Sequence, residues 1–226
     1  VGLKEARAHE VGIHFEKHLF PETVAHEEIF DIIEQLNLRE DIHGIIVQLP
    51  LPDGFPTDEI IAHIDSKKDT DGFHQETLKR FLLGESVSCP VFPRAIIELL
   101  RSAGTLFHGE KAVAVVNSEL IGKVLSFALS LEGLDVDFVL SSQGRETIVQ
   151  KTKEARVVVT ACGIPDLIDA SMLASDAIVI DGGNVHVNEK VQGDVKRDEV
   201  ERKIAFLSPV PGGVGPVTVA TLLGRR

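Results

Sequence analysis

The sequence predicts an α/β protein in two parts, a smaller αβ half followed by a doubly wound parallel sheet. Three observations carry this. The chain has 226 residues, and at roughly 100 to 200 residues per domain that length favours two. Apolar stretches of strand length alternate with stretches of helical periodicity, the pattern of parallel βα units. In the second half the strands "KAVAVV", "RVVVTACG" and "AIVIDGG" are continuous and valine-rich, as a sheet covered on both faces requires.

The elements follow in order. Residues 1–12 place Leu3, Ala6 or Arg7 and Val11 near helical spacing and stop at Gly12, the tail of a helix that begins earlier. "IHFEKHLF" alternates Ile13, Phe15, Lys17 and Leu19 and reads as a half-buried strand. "AHEEIFDIIEQLN" carries Ile29, Ile32, Ile33 and Leu36 on one helical face, with acids in its first turn. "HGIIVQLPLP" reads as a short strand halted by prolines, and "TDEIIAHI" as a helix capped by Thr57. The prolines of "CPVFP" mark the domain boundary. Beyond them come the helix "RAIIELLRSAG", the strand "KAVAVV", the helix "IGKVLSFALSLEG", the strand "DVDFVL", the helix "ETIVQKTKEA" and the strands "RVVVTACG" and "AIVIDGG".

Composition narrows the function classes. Hydrophobic residues make up 43% and charged residues 26%, an ordinary globular balance that excludes a disordered or low-complexity chain. A net charge of -12 without a basic patch argues against nucleic acid and anionic lipid as partners. Apolar runs such as "GIIVQLPLP" fall well short of the ~20 residues a membrane span needs, so the expectation is a soluble, cytoplasmic protein. Cys89 and Cys162 stand alone without metal-ligand or disulfide spacing, so no metal is expected and packing suits both.

In a doubly wound sheet ligands gather beyond the carboxyl ends of the strands. The first such turn in the second half, "VVNSELIGK", keeps only the late glycine of a dinucleotide fingerprint, Gly122, with Val116, Asn117 and Ser118 before it. The second strand ends in "VLSSQGR". No acid stands there to hold a ribose diol, whereas Ser141, Ser142 and nearby Arg145 suit a 2′-phosphate, so NADP fits better than NAD. Polar loop residues without a ligand fit the same spacing. In the first half Gln48 ends a strand, Asp69 and Asp71 precede a glycine turn, and Lys4 lies on a helix. Taken singly, none is decisive: a turn amide, loop-bonding carboxylates and a solvated lysine also explain them.

Read together and in order, "VGLKEARAHEVGI", "HGIIVQLPLP", "KKDTDGF" and "SPVPGGVGPVTVATLL" resemble the methylenetetrahydrofolate dehydrogenase/cyclohydrolase family over nearly the whole chain. The resemblance implies a small αβ catalytic domain (1–91 with a closing helix 213–226) and a Rossmann-type domain (92–212), with folate in the cleft between them and a homodimer paired through the Rossmann-type domain. It implies NADP-dependent oxidation of 5,10-methylenetetrahydrofolate to the methenyl form and hydrolysis of that to 10-formyltetrahydrofolate. Lys4 matches the catalytic lysine, Gln48 the glutamine that holds it and Asp71 the aspartate that grips the pterin ring. The family's Tyr-Val-x-x-Lys motif is matched by Val1 and Lys4, and its tyrosine would stand just before Val1. Leu49, Pro50, Val210, Pro211, Gly212 and Gly213 are the implied substrate contacts. Asn117, Ser118, Gly122, Ser141, Cys162, Gly163, Gly215 and Thr218 are the implied cofactor contacts. Pro209 and Pro211 would stiffen the return from the Rossmann-type domain, while Gly212, Gly213 and Gly215 would bare the backbone for a flat ligand.

The chain departs from the family at the cofactor turn and the crossing. Where the family has Gly-Arg-Ser-x-x-Val-Gly-x-Pro, this chain has Val116, Asn117, Ser118, then Ile121, Gly122 and Val124. Leu140, Ser141 and Ser142 replace His-Ser-Arg/Lys, and Val91 and Phe92 fill the Pro-Cys-Thr-Pro crossing. Lys4, Gln48 and Asp71 are retained. Three readings follow: a dehydrogenase/cyclohydrolase with a divergent cofactor site, a cyclohydrolase alone, or a non-catalytic folate-binding or subunit-pairing protein.

Overall fold

The computed structural model describes residues 2–49, 51–85, 87–104, 107–188 and 190–225. The chain divides into two compact units, Val1–Val91 with Leu222–Arg226, and Phe92–Thr221. The expected return to the first unit at 213 falls instead at Leu222.

The first unit holds helices α1 (Gly2–Glu10), α2 (His26–Leu38), α3 (Thr57–Ala62) and α4 (Gln75–Leu82). Its core gathers Ile33 of α2, Ile60 of α3, Ile45 and Ile64, with Ile29 and Leu36 packed against it. The apolar stripe read on α2 is thus the face that it buries. Two expectations change here. Residues 13–20 pair with no strand among the described residues, and Leu19 is 75% exposed. The segment expected as a strand at 43–50 forms a single parallel bridge, Ile45 to Asp69. Alternation produces a strand only where a neighbour supplies the ladder, and neither segment has one beyond that bridge. Thr57 is also the first helical residue of α3 rather than its cap: Pro56 holds the cap position, and the Thr57 N–H donates to the Phe55 carbonyl at 2.8 Å. α4 escaped the sequence reading because it buries only Leu78 and Phe81 in a charged octet.

The second unit follows the rhythm read from the sequence, with additions. Helix α5 (Val91–Ser102) leads to β1 (Lys111–Val116), α6 (Glu119–Ser130), β2 (Asp135–Leu140), α7 (Arg145–Thr152), β3 (Val157–Ala161) and β4 (Ile178–Asp181). A hairpin of β5 (Val185–Val187) and β6 (Lys190–Gln192), then α8 (Arg197–Val200), β7 (Phe206–Ser208) and α9 (Val214–Leu223), complete it. The sheet runs β2-β1-β3-β4-β7, parallel throughout. Burial on both faces explains the valine runs: β4 is buried along its whole length, and β1 along all but Lys111. Because the chain goes outward from β1 to β2 and then back past β1 to β3, the order reverses between β1 and β3. That switch point opens the crevice where such sheets bind ligands. No helix among the described residues is long and apolar enough to cross a membrane.

Candidate active site

The first unit brings two of the three expected catalytic side chains together. α1 presents Lys4, whose Nζ lies 4.0 Å from Asp71 Oδ2, with side chains 17% and 19% exposed. The two aspartates of "DTDG" divide the work. Asp69 builds the loop: its Oδ1 accepts the N–H of Gly72 (2.9 Å) and Phe73 (3.2 Å), and its Oδ2 accepts that of His74 (2.9 Å). The Asp71 carboxylate receives no hydrogen bond among the described residues, although its main-chain carbonyl accepts the Val91 N–H. Burial pushes the Asp71 pKa above the ordinary aspartate value, the Lys4 charge opposes that shift, and Asp69 adds to it.

Gln48 takes a different place from the one expected. Its side chain is exposed, and its amide donates to the Leu49 carbonyl at 2.8 Å; no hydrogen bond joins it to Lys4 among the described residues. Leu49 lines the same small pocket as Asp71, Ile45 and Phe73. Pro50 and Val1 lie outside the described residues.

Arg225 is a member of this region that sequence reasoning missed. It donates to the Thr70 carbonyl at 2.6 Å and also to the Cys89 carbonyl, so it ties the DTDG loop to the segment before α5. Burial lowers its pKa from the ordinary arginine value, and its charge adds to that of Lys4 in favouring ionised Asp71. Only its distance in sequence hid it. Gly72 sits at φ +79°, and an added Cβ there would stand 2.9 Å from Pro90 Cα, so this turn requires glycine on both counts.

In the second unit, the "PVPGGVGP" segment runs from the end of β7 into α9. The Val210–Pro211 peptide is cis, Gly212 has φ +109°, and a Cβ on Gly213 would meet the Pro209 carbonyl oxygen at 2.5 Å. The bareness of Gly213 is therefore used within its own turn. Gly215 has open space around its Cβ position, and Thr218 donates its hydroxyl to the Gly215 carbonyl at 2.6 Å. Val210 lines a cavity of about 290 Å³ with Asp181, Gln192, Lys196 and Arg197. Its two cations are already paired, to Glu199 and Glu201 respectively.

Most of the expected cofactor residues lie on the sheet's carboxyl edge. Ser118 caps α6, accepting the Ile121 N–H at 3.3 Å. Gly122 does packing work: a Cβ there would lie 2.5 Å from the Phe138 ring, so α6 approaches β2 as closely as a dinucleotide fold needs. Gly163 adopts φ +66° just after β3, beside Cys162. The Cys162 thiol donates to the Val115 carbonyl at 3.3 Å, and burial pushes its pKa up to about 12. Ser141 lies against that thiol. Asn117 occupies the switch point, its amide donating across it to the Cys162 carbonyl at 3.4 Å. The packing glycine and the bare Gly163 turn fit a dinucleotide, while buried Val116 and neutral Asn117 offer its phosphates no cation. No cluster of three or more metal-ligating side chains occurs among the described residues.

Comparison with known proteins decides the family. The tetrahydrofolate dehydrogenase/cyclohydrolase catalytic domain model matches residues 1–71, and the NAD(P)-binding domain model of the same family matches residues 90–225. The chain belongs to the tetrahydrofolate dehydrogenase/cyclohydrolase family. It is 37% identical over 223 residues to "Bifunctional protein FolD" of Listeria innocua, covering 98% of this chain and 78% of that one. The like-named protein of Methanococcoides burtonii is also 37% identical, with 99% and 77% covered. Among solved structures, the bifunctional FolD of Campylobacter jejuni superposes with a TM-score of 0.88 at 32% identity, covering 98% of this chain and 79% of that one. The FolD of Trypanosoma brucei, complexed with NADP cofactor and inhibitor, gives 0.90 at 30% identity, with 98% and 78% covered.

Proposed function

We propose that the protein oxidises 5,10-methylenetetrahydrofolate to 5,10-methenyltetrahydrofolate with NADP and hydrolyses the product to 10-formyltetrahydrofolate. The observation that carries this reading is the Lys4 ammonium set 4.0 Å from a mostly buried carboxylate that has no hydrogen-bond donor among the described residues. A carboxylate so placed is ready to accept paired N–H bonds from a pterin ring. Lys4 then stands beside the bound ring to orient a water and exchange a proton with it during hydrolysis. Gln48, turned towards Leu49 here, positions Lys4 once substrate displaces that amide. A bound nicotinamide supplies the hydride acceptor, and Asn117, Ser118, Gly163 and Thr218 are the residues that would hold it. The reading extends to a cytoplasmic homodimer paired through the sheet-bearing unit. Two assays test it: NADP-dependent absorbance change with methylenetetrahydrofolate, and loss of methenyl absorbance without dinucleotide. Both are expected to be positive, and absence of both would overturn the assignment.

The Asn117–Cys162 bond across the switch point favours a second reading, a cyclohydrolase alone, in which only the dinucleotide-free assay is positive.

Asp71→Asn separates binding from folding. The folded-state pKa of Asp71 is raised, so its contribution favours folding below its unfolded pKa and is lost as pH rises through the folded value. At neutral pH the ionised carboxylate therefore costs stability, and Asn relieves the cost. The expected result is a Tm equal to or about 1–3 °C above the parent at pH 7.5. Folate affinity should fall roughly 10- to 100-fold, as when charged hydrogen bonds are lost. Calorimetry of the free protein and a folate titration check both halves; unchanged folate affinity would remove Asp71 from the pterin site.

A further inference from the structure

Resting on the proposed dinucleotide site, we infer that the carboxyl end of β2 does not read the 2′-phosphate, so that this protein binds NAD(H) and NADP(H) with similar affinity. In a doubly wound sheet the end of the second strand faces the adenosine ribose: an acid there selects the free diol, and a cation selects the phosphate. This chain offers neither in usable form. Leu140 is followed by Ser141 and Ser142, whose hydroxyls can bond a diol or a phosphate alike. Gln143 is committed to the backbone, its Oε1 accepting the Leu140 N–H at 2.9 Å.

Arg145 is the cation that sequence alone assigned to the phosphate, and the structure gives it another partner. Its Nη2 donates to Asp169 Oδ2 at 2.6 Å. Asp169 is itself fixed, since its Oδ1 accepts both the N–H (2.8 Å) and the hydroxyl (2.6 Å) of Ser171. The Ser171 bonds, followed by Arg145, hold the Asp169 pKa down to about 2, so it stays charged at every working pH. Arg145 is exposed and its pair is a surface pair of modest strength. Yet swinging Arg145 towards a phosphate would break its bond to Asp169, leaving that anion nearby with Lys196, itself paired to Glu199, as the remaining cation in its field. Glu146, next along α7, adds a second negative charge. The region is electrostatically balanced without ligand, and a phosphate of charge near −2 gains little there.

The test is direct titration, which needs no turnover. NADH and NADPH emission is followed as protein is added, in a chain that contains no tryptophan to interfere. The two dissociation constants should agree within about threefold, against the tenfold or more that one charged hydrogen bond confers. Asp169→Asn should release Arg145 and tighten NADPH about tenfold while NADH stays put. Arg145→Ala should change neither affinity by more than about twofold, and it keeps the test sound if Asp169→Asn does not fold. A tenfold preference for NADPH in the parent, lost in Arg145→Ala, would overturn this inference and leave the proposed dehydrogenase standing. Binding of neither nucleotide would overturn both.

Discussion

Lys4→Met is expected to abolish hydrolysis of methenyltetrahydrofolate while leaving the fold intact. The side chain has no hydrogen bond among the described residues and one loose ion pair, at 4.0 Å to Asp71, so little structure depends on it. Its removal does take away the nearest positive charge from a carboxylate that burial already disfavours. Arg225 remains to offset part of that loss, and Tm should move by no more than about 2 °C. The rate should fall about 10²- to 10⁴-fold, the range that a positioned acid or base contributes. Lys4→Arg should not restore it, because a guanidinium keeps its proton at any working pH and its planar fork cannot occupy the space of an ammonium. The measurement is the first-order loss of methenyl absorbance at saturating substrate, corrected for the uncatalysed rate. Activity unchanged in Lys4→Met would exclude Lys4 as the group that performs hydrolysis and move that step to another residue; hydrolysis absent from the parent itself would return the first unit to the non-catalytic, folate-binding reading.

How much of this was legible depended on whether a residue's role is set locally or by the chain's return. The sheet of the second unit was legible because burial on both faces imposes an unbroken apolar run on each strand, and β1 to β4 carry such runs or the alternation of an edge. Hairpin strands β5 and β6 and strand β7 have three residues each, too short for any period to declare itself. In the first unit the sequence located Gln48 and Asp71 but not their side-chain directions. A strand-end amide is free to meet a ligand or its own backbone, and here it takes the Leu49 carbonyl. Residue type alone left the two carboxylates of "DTDG" interchangeable, and only the family resemblance singled out Asp71; the folded loop adds the reason, with Asp69 consumed by three N–H groups and the Asp71 carboxylate accepting none among the described residues. Arg145 illustrates the limit most clearly. Its proximity to the end of β2 was plain, whereas the partner that neutralises it lies 24 residues further on, beyond β3.

Gly193→Ala is expected to be the most damaging substitution in the second unit, and its target is a carboxylate that shares its pKa shift with Asp71 but not its role. Asp181, 3% exposed at the end of β4, accepts the N–H of Gly183 (2.9 Å), Asp194 (3.0 Å) and Val195 (3.1 Å) and the Thr160 hydroxyl (3.1 Å). Asp194, fully buried, accepts the N–H of Cys162 and Ile164, each at 2.8 Å. The two acids thus bind the 193–195 loop to the ends of β3 and β4, the floor on which Cys162 and Gly163 stand. A Cβ on residue 193 would lie 2.0 Å from Asp181 Oδ2. Neither atom has room to yield, so the carboxylate must leave its donors or the loop must lift. Either movement leaves a buried anion short of charge-assisted bonds worth about 1.5–3 kcal/mol each, for a loss of at least about 4 kcal/mol. Gly215→Ala provides the contrast, since its Cβ would meet nothing within 4 Å and its φ is ordinary; relief of helix entropy should raise stability by about 0.5–1 kcal/mol. Burial raises the pKa of Asp181 as it does that of Asp71, yet Asp181→Asn should destabilise, because its amide would turn an N–H towards groups that are themselves donors. Denaturant titration of the four variants would rank them Gly215→Ala and Asp71→Asn at or above the parent, Asp181→Asn below it and Gly193→Ala lowest. A Gly193→Ala protein as stable as the parent would mean that the Asp181 network does not hold this edge of the sheet.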